Sequence, residues 1–252
     1  MNGLSLAFAA FQIAIGHLLP AGAPAAYPFG VGERFDYSAK LGILSVGNAS
    51  IQVVSIDTVR SQPAFLFRFS LNGSALMFKI NSSIESWTSV DGFRSLRFKQ
   101  DSKENSRRYL REYEILGDSG YYRQRQASAT APTSAEPLDD ASFLYFVRTM
   151  ALEVGKSYRF ERHFKPELNP IVINVLKREI IELPDGSRVA SLVLNPVVGD
   201  KMFSKRADAR LWITDDARRV PVQIRSRLDF GQITLKLEKM TPATGTARPS
   251  GP

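Results

Sequence analysis

The chain has 252 residues, of which 44% are hydrophobic and 23% charged, so it has enough apolar material for a sizeable core. Lysine and arginine outnumber aspartate and glutamate by 33 to 25, a formal charge of +8 that favours anionic partners. Cysteine is absent, which excludes disulfides, thiol catalysis and lipidation at a cysteine.

Residues 4–19 form an apolar run containing Phe8, Phe11, Ile13, Ile15 and Leu18. Pro20 and the small-residue stretch 21–26 follow and offer A-x-A-like cleavage points. This pattern reads as a cleaved signal peptide over residues 1–26, which implies export to the periplasm. The run is short for a membrane span, and nothing later is apolar enough, so no transmembrane span is expected after cleavage. No lysine or arginine precedes the run, a departure from the usual basic start. Residues 27–240 are expected to form a single β-rich domain. Residues 241–252, rich in Thr, Ala, Gly, Pro and Ser, are expected to be a disordered tail.

Within the domain, alternating runs of period two follow one another closely. Residues 33–41 and 49–56 bracket a small-residue turn expected at 45–48. Residues 64–71 place Phe65, Phe67, Phe69 and Leu71 on one face. Asp91-Gly92 turns the run 81–90 into 93–99. Residues 107–115 and 121–126 form another pair across the turn 117–120, and 127–137 reads as a loop. Residues 138–150 are the one convincing helix of the domain. Asp139 or Asp140 can cap it, and Phe143, Phe146, Val147 and Met150 recur at i, i+3, i+4 and i+7. Strands resume at 157–165, 171–181 and 188–198. A hairpin over 207–228 then puts Ala207, Ala209, Leu211, Ile213, Val220, Val222, Ile224 and Leu228 on one face, and 232–239 closes the series. About a dozen strands in meander order, without a βαβ rhythm, make the chain mostly all-β. The expected fold is a strongly curved antiparallel meander sheet or barrel with one central α-helix on its concave side.

Chemistry-bearing motifs are scarce. His17 falls in the signal segment, which leaves His163, expected at the surface between charged neighbours. The sequence has no Gly-x-Ser-x-Gly elbow and no clustered metal ligands, and Gly30-Val-Gly32 leads into a strand rather than joining strand to helix. Asp139-Asp140 suits a helix cap and Asp215-Asp216 a hairpin turn. No catalytic residue, metal or cofactor is therefore assigned. What remains is a basic–aromatic surface. Arg107, Tyr109, Arg111 and Tyr113 share one strand face, which Tyr121, Arg123 and Arg125 can continue, and the 207–228 hairpin adds Arg210, Trp212, Arg225 and Arg227. The candidate binding residues are Arg210, Trp212, Arg225, Arg227, Tyr109 and Arg111, which can bind anions and sugars by charge and stacking. The same residue types also serve as ordinary solvent-face strand pairs.

Three segments carry a family resemblance. They are Tyr27-Pro-Phe-Gly-Val-Gly-Glu-Arg-Phe-Asp-Tyr37 with Val46-Gly-Asn-Ala49, then residues 137–158 with Phe-Leu-Tyr-Phe-Val-Arg-Thr, and Leu211-Trp-Ile-Thr-Asp-Asp-Ala-Arg-Arg-Val-Pro-Val222. Together they resemble the bacterial exported family known as domain of unknown function 3108. The resemblance implies an exported β-rich protein and supplies no catalytic residues. The expected outline is also similar to periplasmic lipoprotein carriers and sensors, by analogy of fold alone. The functional expectation is a non-enzymatic cell-envelope protein that binds an apolar or amphipathic, lipid-like envelope ligand in its curved β-sheet, the partner being a lipid or other anionic envelope molecule. Export argues against nucleic acid. One alternative is an envelope interaction module that contacts protein, glycan or lipopolysaccharide through a basic face. Another is a carboxylate-based hydrolase, which needs two acids converging in one cleft.

Overall fold

A computed structural model describes residues 27–75, 78–199, 203–228 and 231–245. The expected signal segment and the end of the tail lie outside these residues. The strands are β1 (Arg34–Leu41), β2 (Leu44–Val59), β3 (Gln62–Ala75), β4 (Phe78–Ser89), β5 (Ser95–Glu104), β6 (Arg107–Leu116), β7 (Tyr121–Gln124), β8 (Thr130–Pro132), β9 (Ser157–Phe160), β10 (Ile171–Glu182), β11 (Arg188–Val197), β12 (Arg210–Thr214), β13 (Pro221–Leu228) and β14 (Gly231–Thr241). They form one 14-stranded sheet, ordered β8 down to β1, then β14 down to β9. Two antiparallel meanders therefore join where the first and last strands pair. The sheet curls like a barrel without closing, and β8 and β9 are its edges. A parallel bridge between Leu138 and His163, just beyond these edge strands, straps the two ends together. In it the Leu138 amide donates to the Arg162 carbonyl at 2.5 Å, and the Phe164 amide to the Leu138 carbonyl at 2.9 Å.

Several local expectations change. The first hairpin turns at Gly42-Ile43, not at 45–48, because Gly42 takes a positive φ of 59° and Leu44 and Ser45 already pair with Leu41 and Lys40. The loop at 127–137 contains the short edge strand β8. The strand expected over 157–165 ends at Phe160. The tail is anchored through residue 245: β14 runs to Thr241, and the Thr244 amide donates to the Val31 carbonyl.

The helix α1 (Ser142–Arg148) is shorter than expected, and of its residues only Phe146 is not buried. Seven residues do not hold a helix in water, so its surroundings must. At its N-terminal end Asp139 Oδ1 accepts from the amides of Ala141 (3.0 Å) and Ser142 (2.9 Å), and the Asp139 amide donates back to Ser142 Oγ (2.8 Å). This is a reciprocal capping arrangement. Asp139 Oδ2 accepts from Ser86 Oγ at 2.6 Å, and Ser95 Oγ meets Ser142 Oγ at 2.9 Å, which ties the cap to β4 and β5.

Arg148 holds the other end and is almost wholly buried. Its guanidinium bonds both oxygens of Glu33 (2.6 and 3.0 Å), the Pro28 carbonyl (3.1 Å) and the Arg218 carbonyl (3.0 Å). It also lies 5.3 Å from the Phe29 and Phe35 ring centroids. One side chain thus joins the entry segment, the helix and the turn between β12 and β13. Around it Tyr27, Phe29, Phe65, Phe67, Phe93 and Tyr145 form an aromatic core, with Phe67 and Tyr145 stacked at 3.8 Å.

Removing one partner of a buried ion pair strands the other charge. Glu33→Ala should therefore lower unfolding stability by about 3–5 kcal/mol. The double variant Glu33→Met/Arg148→Met should lose less than the sum of the singles in urea titrations. Burial pushes the Asp139 carboxyl above its ordinary range, and its hydrogen bonds from Ser142 and Ser86 offset this only in part. The folded protein therefore holds that proton more tightly than the unfolded chain. Its contribution to stability is present in acid and is lost as pH rises through the elevated folded value. The stability of wild type relative to Asp139→Asn should accordingly fall with rising pH across the acid range and then level off. Urea unfolding at a series of pH values tests this, and a difference that stays constant with pH refutes it.

Candidate functional site

Opposite residues of an antiparallel ladder share a face, so the register traces rows of side chains across the concave wall. One row runs Val53, Phe67, Ser86, Phe98, Tyr113 and is filled by aromatic rings, with Phe98 5.9 Å from Phe164. The next is Phe35, Ile51, Phe69, Ile84, Gln100, Arg111. The third is Tyr37, Ala49, Leu71, Ser82, Ser102, Tyr109. The fourth is Ala39, Gly47, Gly73, Ile80, Glu104, Arg107, and it continues the other way through Leu235, Ile224, Leu211, Leu194 and Val175. On β10–β14 this last row carries leucine, isoleucine and valine. On β1–β3 it shrinks to alanine and glycine.

The missing side-chain volume is a cavity of about 660 Å³. Its sheet wall carries Phe69, Leu71, Ile80, Ile84, Ile224 and Leu235, and its inner wall Ala141, Leu144, Phe203 and Ala207. Gly47 is required where β2 and β3 approach each other, since a Cβ there would lie 2.0 Å from the Asn72 carbonyl oxygen. The β4–β5 side is more polar: Ser82 Oγ lies 2.6 Å from Ser102 Oγ, and Gln100 Nε2 donates to Ser102 Oγ at 3.2 Å. Among the described residues, Arg111, Arg206, Arg227, Glu104 and Asp140 are the charged groups bordering the space.

The six expected binding residues do not form one surface. Pairing of Gln100 with Arg111 and of Ser102 with Tyr109 puts Arg111 and Tyr109 on the concave face, where Arg111 lines the cavity. Leu211 and Ile224 point inward, so Arg210, Trp212 and Arg225 occupy the convex face. Trp212 is unavailable for stacking: it is 4% exposed, lies beneath the Arg225 guanidinium at 5.2 Å and meets Glu179 through its indole nitrogen. Arg210 is held by Asp208 at 2.6 Å. Of the four expected hairpin residues, Arg227 alone borders the cavity: it shares the strand face of Arg225 but stands at the end of β13, at the margin of the space.

His163 corrects another expectation, for it is buried rather than on the surface. Its Nδ1 accepts from the Lys165 amide at 3.0 Å, which leaves Nε2 to carry the proton toward Asp140 Oδ1 at 3.4 Å. It fixes the strap between the sheet ends. The carboxylate pairs behave structurally in part: Asp139 caps the helix and does not line the cavity, and Asp216 accepts from Thr214 Oγ1 and the Arg218 amide in its turn. Among the described residues no group of three or more His, Asp or Glu could hold a metal ion. The small residues at the cavity include Ala39, Gly73, Ser82 and Ser102, which stand on four different strands, so no local stretch of sequence shows them together.

Among curated proteins none matches the chain. Similar solved structures include two. One is the crystal structure of a β-barrel-like protein of domain of unknown function DUF1849 from Brucella abortus, with 10% identity and a TM-score of 0.54 over 86% of this chain and 100% of that one. The other is the hypothetical protein CT021 from Chlamydia trachomatis, with 9% identity and a TM-score of 0.33 over 86% and 92%. Only the first supports a shared fold. A family model described as protein of unknown function (DUF3108) matches residues 36–238, most of the length, and the chain belongs to that family.

Proposed function

We propose that this chain is a non-enzymatic protein of the bacterial periplasm that holds an apolar or amphipathic, lipid-like envelope molecule in the hollow of its curled sheet. The observation that carries this reading is the cavity of about 660 Å³ walled by Phe69, Leu71, Ile84, Leu144, Ile224 and Leu235. Ligand pockets typically measure roughly 300–1,000 Å³ and are lined mainly by apolar groups. A scaffold needing only a stable wall would bury larger side chains where Ala39, Ser82 and Ser102 stand. Export rests on the apolar run and small-residue stretch of residues 1–26. No helix among the described residues is long and apolar enough to cross a membrane.

The reading of the protein as an interaction module with a basic outer face has less support, because Arg210 and Trp212 are already engaged by neighbours on the convex side. Hydrolysis has two acids bordering the cavity, Glu104 and Asp140, but Asp140 is turned to His163 Nε2, and that histidine is buried in the strap and does not line the space. Delipidated protein should bind the neutral fluorescent probe N-phenyl-1-naphthylamine saturably. Leu71→Trp, which places an indole in the hollow, should weaken uptake at least about tenfold while circular dichroism and thermal midpoint stay close to wild type. Wild-type protein that takes up no probe would overturn the proposal.

A further inference from the structure

We infer that the ligand carries an anionic end, a carboxylate or a phosphate, and that Arg111, Arg206 and Arg227 receive it. This inference rests on the cavity reading above and names the class of molecule.

Many arginines elsewhere in the chain pair with acids. Arg60 and Arg97 share Glu114, Arg68 pairs with Glu85, and Arg178 pairs with Asp215. Arg107, Arg123 and Arg188 lack such a partner among the described residues, as do Arg111, Arg206 and Arg227, but only the last three border the cavity, and all three are exposed. Among the described residues none of them makes an ion pair or a side-chain hydrogen bond. The two acids on the same border, Glu104 and Asp140, are not within ion-pair distance of them, and Asp140 faces His163 Nε2.

Their placement suits one function. Because they are exposed while lining the space, they mark where it opens. Arg111 stands on the concave face of β6, Arg206 on the short 3-10 turn Lys205–Ala207, and Arg227 near the end of β13. Guanidinium groups present planar donor forks that match carboxylate and phosphate oxygens. Apolar walls beneath them reduce screening and strengthen that attraction. An anionic amphiphile would enter tail first, its chain against Leu71, Ile84 and Leu144 and its charge at the arginine rim.

Displacement of bound N-phenyl-1-naphthylamine by tail-matched oleate, oleoyl-lysophosphatidate and neutral oleyl alcohol tests this. Wild type should prefer at least one anionic probe over the alcohol by about tenfold or more. Arg206→Glu/Arg227→Glu should abolish that preference, Arg111→Glu should reduce it, and Arg210→Glu on the convex face should leave it unchanged. Reversed charge should also raise the affinity for oleylamine. Which anion wins separates a fatty-acid source from a phosphate headgroup. Equal displacement by oleate and oleyl alcohol, with variants that leave the ranking unaltered, overturns the inference while the cavity reading stands. Failure of the neutral probe itself to bind wild type removes both. Far-ultraviolet circular dichroism of each variant establishes that a lost preference is not lost folding.

Discussion

A guanidinium sealed beneath a bent sheet sets the geometry of this molecule. Arg148 is too deeply buried to be tolerated without compensation, and the chain surrounds it with the Glu33 carboxylate, two backbone carbonyls and aromatic faces. Those partners come from the entry segment and from a turn some 70 residues further along the chain. Satisfying one side chain therefore fixes the position of the helix in the bowl of the sheet. The Asp139 cap fixes the other end. A seven-residue helix becomes a rigid internal wall because both ends are tied to strands rather than through its own propensity.

The position of the helix determines where the interior is full and where it is empty. Beside it, aromatic rings from β3, β5 and the entry segment fill the bowl. Beyond Asp140, Ala141 and Leu144 the filling stops, and the facing rows dwindle to alanine, glycine and serine. Each buried methylene contributes about 0.8 kcal/mol, so small residues on the concave face forgo stability in exchange for space. The β10–β14 half, rich in leucine, isoleucine and valine, supplies the packed counterpart. The result is a bowl packed with rings beside the helix and hollow beyond it, and among the described residues the charged groups that border the hollow are Arg111, Arg206, Arg227, Glu104 and Asp140.

Much of this was readable from residue order. Alternation marked nearly every strand, the Asp-Gly and Asp-Asp turns were placed correctly, and Ala209, Leu211, Ile213, Val222 and Ile224 are all buried as their period of two requires. Errors arose where local pattern competes with long-range pairing. Gly47 resembles a turn residue but sits within a strand, because what it accommodates is the close approach of β3. Arg107, Tyr109 and Arg111 are exposed as an alternating face suggests, but that face is the concave one, because β5 presents Gln100 and Ser102 to it. His163 resembles a surface residue in a charged context, and it is buried by partners distant in sequence.

The order of residues by itself determined the fold class, the meander, the presence of one helix and the side of most strands that meets the core, since these follow from periods of two and 3.6 and from turn chemistry within a few residues. Only the tertiary structure decided which face of β6 is concave, which arginines border the space and that the space exists. Curvature and register bring together residues from strands at both ends of the chain, and the volume left between them depends on every row at once rather than on any local stretch.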